Sequence, residues 1–182
     1  MTRRSPCTSK ELENIIASAV IARSIYVDDI SIKQIAEASG LAIGSIYRVI
    51  KTKSDLKKIV DSHCEALFNA QVFSAIPAKL SFRDRFSLVL IRIFHFIEAN
   101  MEAANYLAYN GFSPSSLMVK SCISFASEGQ ISGLIRPEII QYSYAFIWGP
   151  ISTIIKSKST TGTDLAVIEG SIWAALTSSK AA

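Results

Sequence analysis

Apolar residues recur every three or four positions along nearly the whole chain, and no stretch alternates apolar with polar for long enough to make a strand. That period restricts the chain to packed amphipathic helices, because only a 3.6-residue repeat keeps such positions on one face. Leu12, Ile15, Ile16, Ala19 and Ala22 predict a first helix over Ser9–Tyr26, broken at Asp28-Asp29. Ser31 and Gln34 have capping-box spacing and predict a short second helix that ends at Ser39-Gly40. A third is predicted over Ile43–Ile50. Thr52 and Asp55 open a fourth from Lys53 to about Phe73, with Pro77 in the linker beyond. Ser81 with Asp84 opens a fifth, carrying Phe86, Leu90, Phe94 and Ile97. A shorter helix covers Ala103–Tyr109 and stops at Asn110-Gly111. Ser113-Pro114 reads as a cap followed by a first-turn proline, opening a helix that stops near Gly129. Arg136-Pro137-Glu138 opens another, which Gly149-Pro150 should kink. A last helix spans Thr163–Ser178. The expected fold is all-α, with about nine helices.

The chain has 182 residues, of which 49% are hydrophobic and 19% charged, enough to bury a large core and to exclude disorder. Ten Lys and Arg face seven Asp and Glu over Met1–His63, so +3 of the net +4 charge lies in that part. This weakly favours an anionic partner there. Cys7, Cys64 and Cys122 are odd in number and widely spaced, which fits neither a disulfide framework nor a zinc site. No apolar run follows Arg3 and Arg4, and a cytoplasmic location is expected. Ile139–Ile155 carries no charge over 17 residues, but it is short for a spanning helix and holds Gln141 and Gly149-Pro150. A buried helix is expected there, and no membrane partner.

The window Ser31–Leu56, SIKQIAEASGLAIGSIYRVIKTKSDL, places two short helices around a tight turn at Gly40. That is the pattern of a helix-turn-helix, whose second helix fits the major groove of DNA. Ser31, Ile32, Ile35-Ala36, Gly40, Leu41, Gly44, Ser45, Ile46, Tyr47, Thr52, Lys53 and Leu56 match, in place, the pattern of TetR-family regulators, and on these residues the chain resembles that family. The resemblance is good over about Ile15–Leu56 and continues loosely at Glu128–Ile131 and Trp148-Gly149. It departs at Ala42, where the family usually has a capping serine; such a loss costs about 0.5–2 kcal/mol. Ala22 stands where the family's first helix usually has Phe, Tyr26 where it has Gly, and Val49 and Ile50 where His or Tyr and then Phe are common. Ile43, at a groove-facing position, can read only thymine methyls.

The resemblance implies a helix-turn-helix DNA-binding domain over residues 1–54 and a helical bundle for ligand binding and dimerisation over 55–182. The expected DNA contacts are Ser31, Lys33, Ala42, Ile43, Ser45, Tyr47, Arg48, Lys51, Thr52 and Lys53. Among them Lys53 stands out, because the start of a helix combines an ammonium with free amides. Gly44 is small enough for close approach of a helix or a DNA backbone. An apolar pocket is expected around Phe68, Phe94, Tyr106, Tyr109, Phe125 and Trp148, suited to a hydrophobic or aromatic effector. A homodimer is expected through the last two helices, at Ile147, Ile151, Ile154, Leu165, Ile168, Ile172 and Trp173, setting two recognition helices on a palindromic operator. Repression is the family's habit. His63 and His95 have no carboxylate or thiol at ligand spacing, and no nucleophile elbow or phosphate loop is present, so neither metal, cofactor nor enzymatic activity is expected. Two alternatives stay open: an interaction protein that has lost DNA binding, and a helical carrier of small molecules or an enzyme.

Overall fold

In the computed structural model of the chain, which describes residues 8–157 and 165–177, local capping sets the first helices. Thr8 caps α1 (Ser9–Ile21) through a capping box with Glu11, and Ser31 caps α2 (Ile32–Ser39) through one with Gln34. Gly40 closes α2 in the left-handed conformation, with φ 69°, and its amide donates to the Ala36 carbonyl. α3 (Ile43–Val49) follows after a short turn, then α4 (Lys53–Val72). α1 ends earlier than its apolar stripe predicts: the chain turns after Ala22, and a 3-10 turn at Val27–Asp29 leads into α2.

The chain divides into two compact units between Cys64 and Glu65, within α4 and beyond the boundary expected after residue 54. The first half of α4 is held in the first unit. Leu56 and Val60 are buried, and His63 hydrogen-bonds to Ser18 and Asn14 on α1, at 3.3 Å each. α1 packs on α2 and α3, and α2 on α3. The core of this unit is aliphatic, with Ile16, Val20, Ile35, Ile46 and Val60 fully buried.

The second unit holds the rest of α4 with α5 (Phe82–Ala99), α6 (Met101–Asn110), α7 (Leu117–Ile131), a 3-10 segment at Pro137–Tyr142, α8 (Ser143–Ser157) and α9 (Leu165–Leu176). The described residues thus form nine α-helices and no strand, an all-α fold. α8 packs against α6, α7 and α9. α5 is tied to α7 by Arg85–Glu128 at 2.5 Å, and to α9 by Glu169, which meets Arg83 at 2.7 Å and Ser87 at 2.6 Å. Gly129 of α7 faces α5 so closely that a Cβ there would lie 2.5 Å from the Phe82 ring and from Ile135.

Two further elements differ from expectation. α7 starts at Leu117, not at Ser113-Pro114. Ser113–Ser116 forms a turn, and it is the Ser116 hydroxyl that accepts the Val119 amide. The predicted helix through Gly149-Pro150 is divided at Ser143, with 3-10 geometry before it, and α8 then continues through Pro150. The expected start and end of the last helix, residues 163–164 and 178, lie outside the described residues. Among those residues no helix is long and apolar enough to cross a membrane.

The residues expected at the dimer interface differ in how much surface they leave exposed. Ile147, Ile151 and Ile172 are buried within one chain, so they have almost no surface left to give a second copy. Trp173 lies 4.5 Å under the Arg83 guanidinium and against Phe86, and is half-buried. Ile154 and Leu165 line a cavity described below. The exposed residues of α8 and α9 include Ala145, Pro150, Val167, Gly170, Ser171 and Ala174, near a shallow apolar groove that includes Ile168, and also Thr153, Lys156 and Ala166.

Candidate nucleic-acid interface

α3 is short because neither end is reinforced. Ala42 occupies the N-cap with no side-chain bond, and Ile50 terminates the helix in extended conformation. What fixes it is burial of one face: Ile46 and Ile50 point into the core beside α1 and α2. The opposite face is open. Ile43 is 48% exposed and Tyr47 49%, one turn apart, with Ala42, Gly44 and Arg48 exposed beside them. A Cβ on Gly44 would meet nothing within 4 Å, so no neighbouring helix needs its smallness. The residue instead leaves the outer surface flat.

The expected phosphate contacts separate into free and occupied groups. Among the described residues Arg48 makes no ion pair, and Lys33 is largely exposed, with its ammonium 4.0 Å from Glu37. The Ser31 hydroxyl is engaged in its capping box and Thr52 accepts the Asp55 amide at 3.1 Å. The amides of Lys51 and Thr52 donate to Asp55 Oδ2, at 3.2 and 2.9 Å. These bonds, led by the hydrogen bond to the Thr52 side chain, hold the Asp55 carboxyl below its ordinary pKa. Lys51 Nζ donates to the Tyr47 carbonyl. Ser45 is half-buried.

Lys53 has a different role from the one its position implies. Its ammonium donates to the carbonyls of Val27, at 2.8 Å, Asp28, at 3.3 Å, and Ile30. Three acceptors use its three protons. It clamps the 3-10 turn before α2 to the start of α4. Sequence spacing gives no sign of this, since the acceptors lie more than twenty residues away and are main-chain atoms. The His63 link to α1 is invisible in the sequence for the same reason. Burial, with a smaller effect from Lys10, holds His63 below its ordinary pKa.

In the second unit three of the residues expected around an aromatic pocket, Phe68, Phe125 and Trp148, pack against other rings. Phe68 meets Phe96 and Trp148 edge-on, with centroids 5.2 and 5.6 Å apart, and Phe125 stacks on Phe82 at 5.0 Å. Tyr106 is buried, while Tyr109 is exposed with the Lys156 ammonium 5.5 Å above its ring. A cavity of about 500 Å³ lies elsewhere, between α5 and α8. Ile97, Ile151, Ile154 and Ile155 form its apolar walls, with His95 and Glu98 among its polar lining residues. Of the six expected residues, Phe94 lines it. Among the described residues no cluster of His, Cys, Asp and Glu is placed to hold a metal ion.

No protein-family profile and no curated protein matches the sequence. Solved structures match along almost the whole chain. A TetR-family transcriptional regulator from Haemophilus influenzae RD superposes with a TM-score of 0.76 at 16% identity, over 92% of this chain and 97% of that one. AibR, solved in complex with isovaleryl coenzyme A and operator DNA, gives 0.63 at 16% identity, over 93% and 97%. The superantigen PfiT gives 0.65 at 16% identity, over 97% and 100%. The chain therefore has the fold of TetR-family regulators.

Proposed function

We propose that the chain is a divergent TetR-family transcriptional regulator that binds double-stranded DNA through α3. The observation that carries this reading is the division of α3. Ile46 and Ile50 anchor it, while Ile43, Gly44, Tyr47 and Arg48 form one open face on a helix small enough for the major groove. In this reading Tyr47, Arg48 and Lys33 meet phosphates, and Ser31, Lys51 and Thr52, which are engaged within the free chain, are further candidates. Lys53 holds the unit together instead. AibR, whose structure holds both an acyl-coenzyme A and operator DNA, supports a ligand-responsive regulator by analogy of fold.

In this reading two copies pair through the small and apolar face of α8 and α9, giving a homodimer suited to a palindromic operator. The effector is a hydrophobic small molecule taken by the cavity between α5 and α8. Its action is a population shift: it binds better to a conformation whose recognition helices no longer match the half-site spacing, and so relieves repression. The differential affinity this needs is typically about 1–3 kcal/mol.

The test is recovery of bound fragments from a genomic DNA pool by the full chain, followed by affinity measured against salt. Phosphate contacts make the affinity fall steeply as salt rises. A second reading draws support from the apolar tip of α3 and from the superantigen sharing the fold: an interaction protein using Ile43 and Tyr47 against another protein. Failure to recover any duplex, or affinity indifferent to salt, favours that reading.

A further inference from the structure

We propose that α3 selects DNA by the C5 methyl groups of pyrimidines, thymine being the source, and that Ile43 is the residue that reads them. The inference rests on the DNA-binding reading above and concerns what that face recognises. The base-facing turn of a recognition helix is its first. In α3 that turn is Ala42, Ile43 and Gly44, all exposed, and none has a side-chain hydrogen-bonding group. Ser45 is turned half inward. The side chains that identify bases by paired hydrogen bonds are Arg or Lys for guanine, Asn or Gln for adenine, and Asp or Glu for cytosine. On α3 only Arg48 belongs to that set, and it stands in the last turn.

What the first turn offers is therefore shape and apolar area. Ile43 leaves 48% of its surface in water in the free protein, on a helix whose other isoleucine, Ile46, is fully buried. Open space beside Gly44 gives Ile43 an unobstructed approach. On the floor of the major groove the apolar group available to it is the methyl at C5 of thymine. Burying one methyl against another stabilises by an amount that corresponds to roughly a fourfold change in affinity.

The probe is a duplex selected by the full chain from an unmethylated synthetic random-sequence pool. Selected half-sites should hold a fixed T·A pair. Replacing that thymine by deoxyuridine, which lacks only the methyl, should weaken binding roughly fourfold in each half-site. Changing the pair to C·G should weaken it further, and 5-methylcytosine should restore the methyl's share. Ile43→Ala should abolish the thymine–uracil difference, whereas Ile43→Val should keep it. Neither variant should alter the slope of affinity against salt, since the phosphate contacts remain. Equal binding of thymine and uracil duplexes by the unaltered chain, with the salt dependence intact, overturns the methyl assignment and leaves DNA binding standing. Selection that succeeds only from a pool containing 5-methylcytosine overturns thymine as the source. Absence of any salt-dependent binding removes the DNA reading itself, and this inference with it.

Discussion

The two units put their aromatic residues in opposite places. Up to Cys64 the chain has two, Tyr26 and Tyr47, and both are exposed; the core there is built from Ile, Leu, Val and Ala. From Glu65 onward Phe68, Phe82, Phe86, Phe96, Phe125 and Trp148 are buried, and edge, tilted and stacked contacts through Phe73 and Trp173 link them into one cluster. Aromatic rings bring large area and, in pairs, about 0.5–1.5 kcal/mol beyond burial. One unit uses that in its own interior. The other keeps a small aliphatic core and presents its rings to whatever it meets. Ion pairs divide similarly. Among the described residues those of the first unit join positions three or four apart on one helix surface, whereas Arg83–Glu169 and Arg85–Glu128 join different helices of the second.

The contrast is broken most severely by emptying the aromatic core. Phe68→Ala removes a fully buried ring that touches Phe96 and Trp148, and the expected loss is about 3–5 kcal/mol, measured by urea or thermal unfolding. A loss under about 1 kcal/mol would mean that the site is hollow or soft, and would reopen it as a ligand pocket. Gly129→Ala tests the same packing from the other side. Its new methyl meets the Phe82 ring and Ile135 at 2.5 Å, so the expected cost is about 1–3 kcal/mol. An unchanged unfolding midpoint would show that α5 and α7 can move apart freely.

How legible each unit is follows from the same difference. The first is read well because its determinants are local: the Ser31–Gln34 capping box, the Gly40 turn and the Ile35–Ile46 core pattern all lie close in sequence to what they organise. Where its behaviour depends on main-chain atoms far away in sequence, as with the Lys53 clamp, the sequence is silent. In the second unit the helices are visible, but their facing is not. An uncharged stretch such as Ile147–Ile155 has apolar residues all round, so periodicity cannot say whether Ile147 or Pro150 looks outward. The aromatic residues are equally ambiguous in sequence, since rings that line a cavity and rings that fill one have the same spacing. Ser113-Pro114 offers a good cap, but Ser116 offers another, and only burial of Met118 and Val119 decides between them.

Acid separates the units more gently. In the second unit burial pushes the Cys122 thiol up to about 12, so it stays neutral through the physiological range. In the first, His63 joins α4 to α1 with a folded-state pKa below its ordinary 6.5. Above that value the residue is neutral in both states and contributes no pH dependence. As pH falls through 6.5 the unfolded chain takes up the proton first, so stability declines until the lower folded value is passed. His63→Gln keeps a hydrogen-bonding amide and loses the proton. Melting curves between about pH 8 and 5 should therefore run parallel for the two proteins at high pH. Below about 6.5 the gap should change in favour of the variant. Curves parallel throughout would mean that the ring is as well solvated when folded as when unfolded.

The smallest effect on stability is expected at Tyr47, and there the comparison is most informative. The ring is 49% exposed and anchors no aromatic cluster, so Tyr47→Ala should shift unfolding by no more than about 0.5 kcal/mol, the range of ordinary surface changes. Truncating Phe68 and truncating Tyr47 remove similar rings, yet the first should cost several times more. If the exposed ring serves a partner, the order reverses once DNA is added: Tyr47→Ala should weaken duplex binding, and Tyr47→Phe should isolate the share due to the hydroxyl. Loss of that hydroxyl alone, with sequence preference unchanged, identifies a phosphate contact, because phosphate contacts carry no base information. Unchanged affinity in both variants would leave Tyr47 an idle surface ring, and α3 would then hold its DNA without the group that its face presents most prominently.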